Sequence, residues 1–176
     1  MLFDYLDAHF PTVRTFEEKI MGHSRSDVVA VLPGAIMGIE IKSDADSYTR
    51  LVTQVKDYDK YFDINFIAVG SSHVKHVHEH IPPHWGVLLV DQTEEEPVIR
   101  QVRAPRINPK VKIKTQLAFM WRSELLLLLR ANGIRGYAGK ARRMMEKALT
   151  ELVPEKELKN QMCYLLFERD YSVFEK

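Results

Sequence analysis

The sequence predicts an α/β fold: a central mixed four-stranded sheet flanked by helices, with a helical C-terminal extension. Three observations lead there. Residues 24–42, SRSDVVAVLPGAIMGIEIK, hold two short apolar runs on either side of Pro33-Gly34. Their β-branched content, their short length and the turn signal between them indicate a hairpin. A helical pattern and two more apolar runs follow, the order of a crossover from the hairpin to neighbouring strands. Beyond residue 97 the charge reverses. Residues 1–97 carry 8 Lys or Arg against 16 Asp or Glu, whereas residues 98–147 carry 13 against 2. The chain therefore divides into a core at 1–97 and a basic helical extension at 98–176.

The elements follow in order. Residues 1–10 read as a short helix ended by Pro11. Residues 12–21 bring Glu17 and Glu18, and Gly22-His23-Ser24 links into the hairpin. Asp44 to Ser47 is a helix-start signal, and residues 47–61 place Leu51, Val55, Tyr58 and Phe62 at core spacing. Ile64 to Val69 is a third strand and Gly86 to Val90 a fourth. Between them lie His73, His76, His78, His80 and His84, read as a solvated helix that Pro82-Pro83 ends. His76 and His80 have a zinc-compatible spacing but no third ligand in pattern. Asp91 to Pro97 is an acidic turn. In the extension, residues 116–130, 140–152 and 154–168 are expected as helices, with Asn132-Gly133 stopping the first.

The hairpin concentrates the chemistry. Glu40 and Lys42 are two apart, so on a strand they share a face. With Pro33-Gly34 as a two-residue loop, Asp27 lies opposite Glu40, and directly opposed Cβ atoms are about 5 Å apart. Two carboxylates at that distance repel unless a cation lies between them. Magnesium suits the position, taking hard oxygen ligands and keeping several waters. It would activate water and neutralise charge on a phosphate, with Lys42 stabilising the same charge. The plainer alternative is a solvated strand end with a Glu-Lys pair of little energetic weight.

The Asp27, Glu40-x-Lys42 pattern on a hydrophobic hairpin resembles the metal-binding core of the PD-(D/E)XK nuclease superfamily, whose fold is restriction-endonuclease-like. The resemblance implies that Asp27 and Glu40 bind the metal, that the Ile41 backbone carbonyl adds a ligand, and that Lys42 assists catalysis. Ser26 stands where the family pattern has Pro. Gln54-Val55-Lys56-Asp57-Tyr58 resembles the Q-x-x-x-Y element that RecB-like members carry on the following helix, so Gln54 and Tyr58 are expected to line the site and approach the nucleic-acid backbone. Arg50, Gln54 and Tyr58 share one helix side. The resemblance also implies a further acid on the element before the Asp27 strand, with Glu18 the candidate and Glu17 close behind. Arg25 is placed to pair with Asp27 or to meet phosphate. Residues 121–126, WRSELL, resemble a helical tail found in small bacterial and phage members. The match spans about residues 15–91.

The basic block is what a protein gripping phosphate backbone requires. Lys112, Lys114, Arg142 and Arg143 are its expected nucleic-acid contacts, with a solvated basic face as the alternative. Trp121 reads as core, and Gly133, Gly136 and Gly139 lack the setting of a nucleotide loop. The expected function is a Mg2+-dependent nuclease, with Mn2+ substituting, acting on DNA rather than RNA, with homodimerisation left open. The competing reading is a catalytically silent binding module of the same fold, with a zinc-histidine regulator third. Leu125 to Leu129, the longest apolar run, is far short of a membrane span. A single cysteine and an acidic N-terminus without a leader pattern fit a cytoplasmic setting.

Overall fold

The structure, a computed structural model, describes residues 1–92 and 97–170, without the side chain of Glu18. Most of the expected acidic turn, residues 93–96, lies outside the described residues. The chain forms two compact units: residues 1–32 with 36–111, and residues 112–176 with 33–35.

The first unit is a mixed α/β domain, as the sequence predicts, and its sheet has six strands in chain order. These are β1 (Arg14–Met21), β2 (Ser24–Leu32), β3 (Ala35–Lys42), β4 (Ile64–Val69), β5 (Gly86–Asp91) and β6 (Val98–Arg103). β1 pairs antiparallel with β2, β3 and β4 pair parallel, β4 and β5 pair parallel, and β5 and β6 pair antiparallel. Helix α1 (Leu2–His9) and helix α2 (Leu51–Tyr61) complete the unit. Leu6 of α1 joins Val28, Ala30, Met37, Ile39, Phe66, Ala68 and Leu88 in one core cluster. Residues alternate along β3, so Gly38, Glu40 and Lys42 point to the other face. There Gly38 faces the Phe62 ring: a Cβ added at residue 38 would lie 2.2 Å from a ring carbon. Covered on both faces, β3 is buried along nearly its whole length and reads as a near-continuous apolar run.

Two strands exceed the four expected. β1 and β6 are edge strands rich in charged residues, which dilutes the apolar signal, and charge on an edge strand discourages pairing with another chain. β6 takes Arg100 and Arg103 into the sheet, out of the expected helical extension. Arg103 donates to the carbonyls of Trp85 and Pro82 at 2.8 and 3.1 Å.

The helix expected from Ser47 starts at Leu51. Its start signal is used elsewhere: Asp46 accepts from the Ser43 N–H and hydroxyl at 2.8 and 2.7 Å, and Asp44 from those of Ser72. Short polar side chains offer backbone donors such local alternatives to a helix cap. The histidine-rich stretch is a series of turns with one 3-10 turn, Val77–Glu79, rather than a helix. His84 belongs to a buried knot. Asp59 accepts from His84 Nε2, Trp85 Nε1 and Lys110 Nζ at 3.0, 2.9 and 3.0 Å.

The second unit is helical: α3 (Ile113–Gln116), a 3-10 turn at Leu117–Phe119, α4 (Arg122–Ala131), α5 (Arg142–Leu152) and α6 (Glu155–Phe167). The single helix expected over 116–130 is broken at Trp121, which is extended (φ −76°, ψ 159°). Glu124 accepts from the Trp121 N–H at 2.6 Å and so caps α4. Arg142 donates to the carbonyls of Met120 and Leu117 at 2.9 and 2.7 Å, acceptors that a continuous helix would have used internally. Gly133, at φ 73°, follows the end of α4. Leu125, Leu129, Met145, Leu149, Leu158 and Met162 form the apolar interior. Among the described residues, no helix is long and apolar enough to cross a membrane.

Candidate functional site

A cleft of about 1140 Å³ opens in the first unit where β3 ends and β2 begins. Asp27, Glu40, Lys42, Arg50 and Gln54 all line it, together with Glu17 and Arg25. The β2–β3 hairpin supplies Asp27, Glu40 and Lys42, β1 supplies Glu17, Arg50 stands at the N-terminal cap of α2, and Gln54 comes from within it.

Glu40 lies at the centre and is 1% exposed. Its Oε1 accepts from Lys42 Nζ at 2.7 Å and from Gln54 Nε2. Its Oε2 accepts from the Tyr58 hydroxyl at 2.8 Å. Burial pushes the Glu40 carboxyl above the ordinary carboxylate value, and the neighbouring Asp27 charge adds to this. The hydrogen bond from Lys42 opposes the shift without cancelling it. Burial first, and the Glu40 charge second, push the Tyr58 phenol well above its ordinary value, so it serves as a neutral donor. Asp27 is held by the backbone: its Oδ2 accepts from the Ile41 N–H at 2.7 Å. One polar atom here is buried without a partner, Gln54 Oε1.

The sequence-predicted residues fall at several places in the structure. Asp27, Glu40, Lys42 and Gln54 are brought together, and Ile41 is joined to them through Asp27. Arg25 and Arg50 stand on the cleft lining. Tyr58 is not on a surface that nucleic acid could reach: it is fully buried and acts on Glu40. For Glu18, the pairs Glu17↔Val28 and Lys19↔Ser26 bring the backbone of residue 18 opposite Asp27. Its side chain lies outside the described residues. In the second unit, Lys112, Lys114 and Arg143 are exposed, whereas Arg142 is turned inward onto backbone carbonyls and Glu146.

Asp57, which the sequence gave no reason to single out, governs one wall. It is 2% exposed and accepts from the His23 N–H at 3.1 Å, Ser24 Oγ at 2.8 Å and Lys60 Nζ at 3.0 Å. It thereby ties the β1–β2 turn to α2. Gly22 has φ 58°, and a Cβ there would lie 2.8 Å from the Asp57 carboxylate. The only sequence signal was an acid inside an amphipathic helix.

The donor set suits a hard divalent cation: two carboxylates, a nearby backbone carbonyl and a buried, unpartnered amide oxygen that a water could serve. Among the described residues, no group of three or more His, Cys, Asp or Glu is arranged to hold a metal. A cation here would thus rely on two acids, backbone and water.

The fold and site define an α/β domain with a buried Glu-Lys pair in an acid-bearing cleft, joined in sequence to a basic helical unit. A family model described as bacteriophage P4 protein cII matches residues 5–174, and the chain belongs to that family. No curated protein matches the chain. Among solved structures, it is similar to the SPO1766 protein of unknown function from Silicibacter pomeroyi (22% identity, 78% of this chain and 88% of that one, TM-score 0.47). It is also similar to SfsA of Pyrococcus furiosus, solved in complex with Ca2+ (13% identity, 63% and 60% covered, TM-score 0.38). A third is the protein of unknown function AF1548 (15% identity, 95% of each chain, TM-score 0.33).

Proposed function

We propose that this protein is a metal-dependent nuclease of the PD-(D/E)XK superfamily that hydrolyses phosphodiester bonds, in DNA rather than RNA, in the cytoplasm. The observation that carries the reading is the convergence of Lys42, Gln54 and Tyr58 on one buried carboxylate, Glu40, beside Asp27. A lone surface ion pair needs no such support. A buried carboxylate with three donors and a second acid beside it is a costly arrangement, and costs of this kind concentrate at functional sites.

Asp27 and Glu40 would hold a magnesium ion with the Ile41 carbonyl. Such an ion supplies charge stabilisation to a phosphate and acidity to a bound water. The protein's own groups do the rest. The Ile41 N–H fixes Asp27. Gln54 and Tyr58 fix Glu40. Lys42 carries a positive charge at the cleft, where it stabilises charge developing on a phosphate oxygen. Arg25 and Arg50 offer guanidinium groups to flanking phosphates.

The second reading is a silent module that binds nucleic acid without cutting it. The 2.7 Å Lys42–Glu40 pair favours it, because the lysine satisfies the charge that a metal would otherwise neutralise. One experiment separates the two. The protein is incubated with single-stranded, double-stranded and branched DNA plus Mg2+ or Mn2+, beside Lys42→Ala and Asp27→Asn variants checked for folding by circular dichroism. Cleavage by the wild type, lost in both folded variants with DNA affinity kept, is the expected result. Binding without cleavage by all three proteins overturns the nuclease reading.

A further inference from the structure

We propose that the loop joining α4 to α5, with the outward face of α5, is a nucleic-acid backbone contact in its own right, carried by Arg135, Lys140 and Arg143. The inference rests on the reading above for the class of ligand and is independent of the chemistry in the cleft.

Charge is the starting point. From Leu125 to Met145 the chain has five cations, Arg130, Arg135, Lys140, Arg142 and Arg143, and no Asp or Glu. Arg142 is consumed internally, donating to Leu117 and Met120 carbonyls and to Glu146. The other four are exposed, and among the described residues their side chains make no hydrogen bond or ion pair. Unneutralised cations close in sequence repel each other, and a polyanion relieves that repulsion.

Geometry adds to the charge. The loop is anchored at both ends and in the middle. The Gly133 N–H donates to Arg130 O, the Ile134 N–H to Leu129 O and the Lys140 N–H to Tyr137 O. The Arg122 guanidinium donates to Ala138 O at 2.8 Å. Gly133 and Gly136 have φ of 73° and 85°, and among the described residues, their chain neighbours aside, nothing lies within 4 Å of where their Cβ atoms would stand. A ligand backbone can approach there without meeting side chains. On α5, the buried residues are Met145, Ala148 and Leu149, which leaves Arg143 on the opposite side; Lys147, four residues on, shares that side but pairs with Glu151 at 3.8 Å. Exposed guanidinium and ammonium groups, with no Asp or Glu from residue 125 to 145, suit repeated phosphates. Binding of this type is sequence-independent and strongly salt-dependent.

The test measures binding in EDTA, so that cleavage plays no part. Fluorescence anisotropy of a labelled 20-base-pair duplex and of its single strand is followed between 50 and 200 mM KCl. The full chain is compared with an Arg135→Ala/Lys140→Ala/Arg143→Ala variant. The expected result is a plot of log affinity against log salt that is shallower by about 2.7 for the duplex, or about 2 for the single strand, with at least about tenfold weaker binding at 50 mM. Arg142→Ala is the contrast: it lowers the melting temperature while the folded protein keeps the wild-type slope. Phosphatidylserine vesicles are a further arm. An unchanged slope in a folded triple variant overturns the inference, as does loss of vesicle binding with DNA binding intact. A wild type that never cuts DNA overturns the cleft reading alone, because the salt slope is read without metal.

Discussion

Tyr58→Phe is the sharpest test of how the cleft is built. The substitution removes one oxygen and nothing else. The ring keeps its neighbours Phe62 and Trp85, at centroid distances of 5.1 and 5.2 Å. The lost hydroxyl lies 2.8 Å from Glu40 Oε2 and 3.1 Å from the Ile39 carbonyl, and the residue is fully buried. A hydrogen bond to a charged group contributes about 1.5–3 kcal/mol, so we expect a loss of about 2 kcal/mol. With a urea m-value of about 2 kcal/mol/M, the unfolding midpoint falls by about 1 M while m stays constant. Urea titration followed by far-UV circular dichroism measures both. With one donor fewer, the Glu40 carboxyl also moves further above its ordinary value. A midpoint shift under about 0.2 M would refute the reasoning, because it would mean that the hydroxyl contributes nothing to a buried carboxylate. A residue whose task was to touch nucleic acid from the surface would give that small shift.

The remaining predictions concern the walls of the cleft. Gly38→Ala places a methyl 2.2 Å from the buried Phe62 ring, so thermal or urea unfolding should show a loss of about 1–3 kcal/mol; an unchanged midpoint would mean that the ring moves freely. Asp57→Asn tests the tie between the β1–β2 turn and α2 through pH. Burial pushes the Asp57 carboxyl up, but hydrogen bonds from Lys60, Ser24 and the His23 N–H outweigh it, and the group titrates below its ordinary value. A carboxyl depressed in the folded state stabilises above its unfolded value, near 3.9, and loses that contribution as pH falls through the folded value. The gap in melting temperature between wild type and Asp57→Asn should therefore be widest near pH 7 and narrow below about pH 4; a gap that does not change with pH would count against the tie.

How much of this was legible in the sequence depended on how far apart in the chain the determining groups lie. The hairpin could be read because its apolar runs and its turn are contiguous. Gln54 could be placed in the site because Gln54 to Tyr58 resembles the Q-x-x-x-Y element, and the structure puts its Nε2 on Glu40. The same resemblance took Tyr58 toward nucleic acid, whereas its core spacing with Leu51 and Phe62 already pointed to the interior, where it is fully buried. Reading failed where a polar side chain took a partner other than the helix end or solvent expected of it. Asp44 and Asp46 looked like helix caps and were taken by Ser72 and Ser43. Arg142 looked like a surface cation in a basic run and was taken by two carbonyls more than twenty residues away. That loss has a functional consequence. A charge count over 98–147 treats every cation as available, yet Arg103 and Arg142 hold backbone carbonyls within their own units. Among the described residues, the exposed cations of this segment whose side chains make no hydrogen bond or ion pair are Lys112, Lys114, Arg130, Arg135, Lys140 and Arg143. The net charge of a segment thus overstates its capacity for phosphate, and only the unpaired cations set the salt dependence that binding will display.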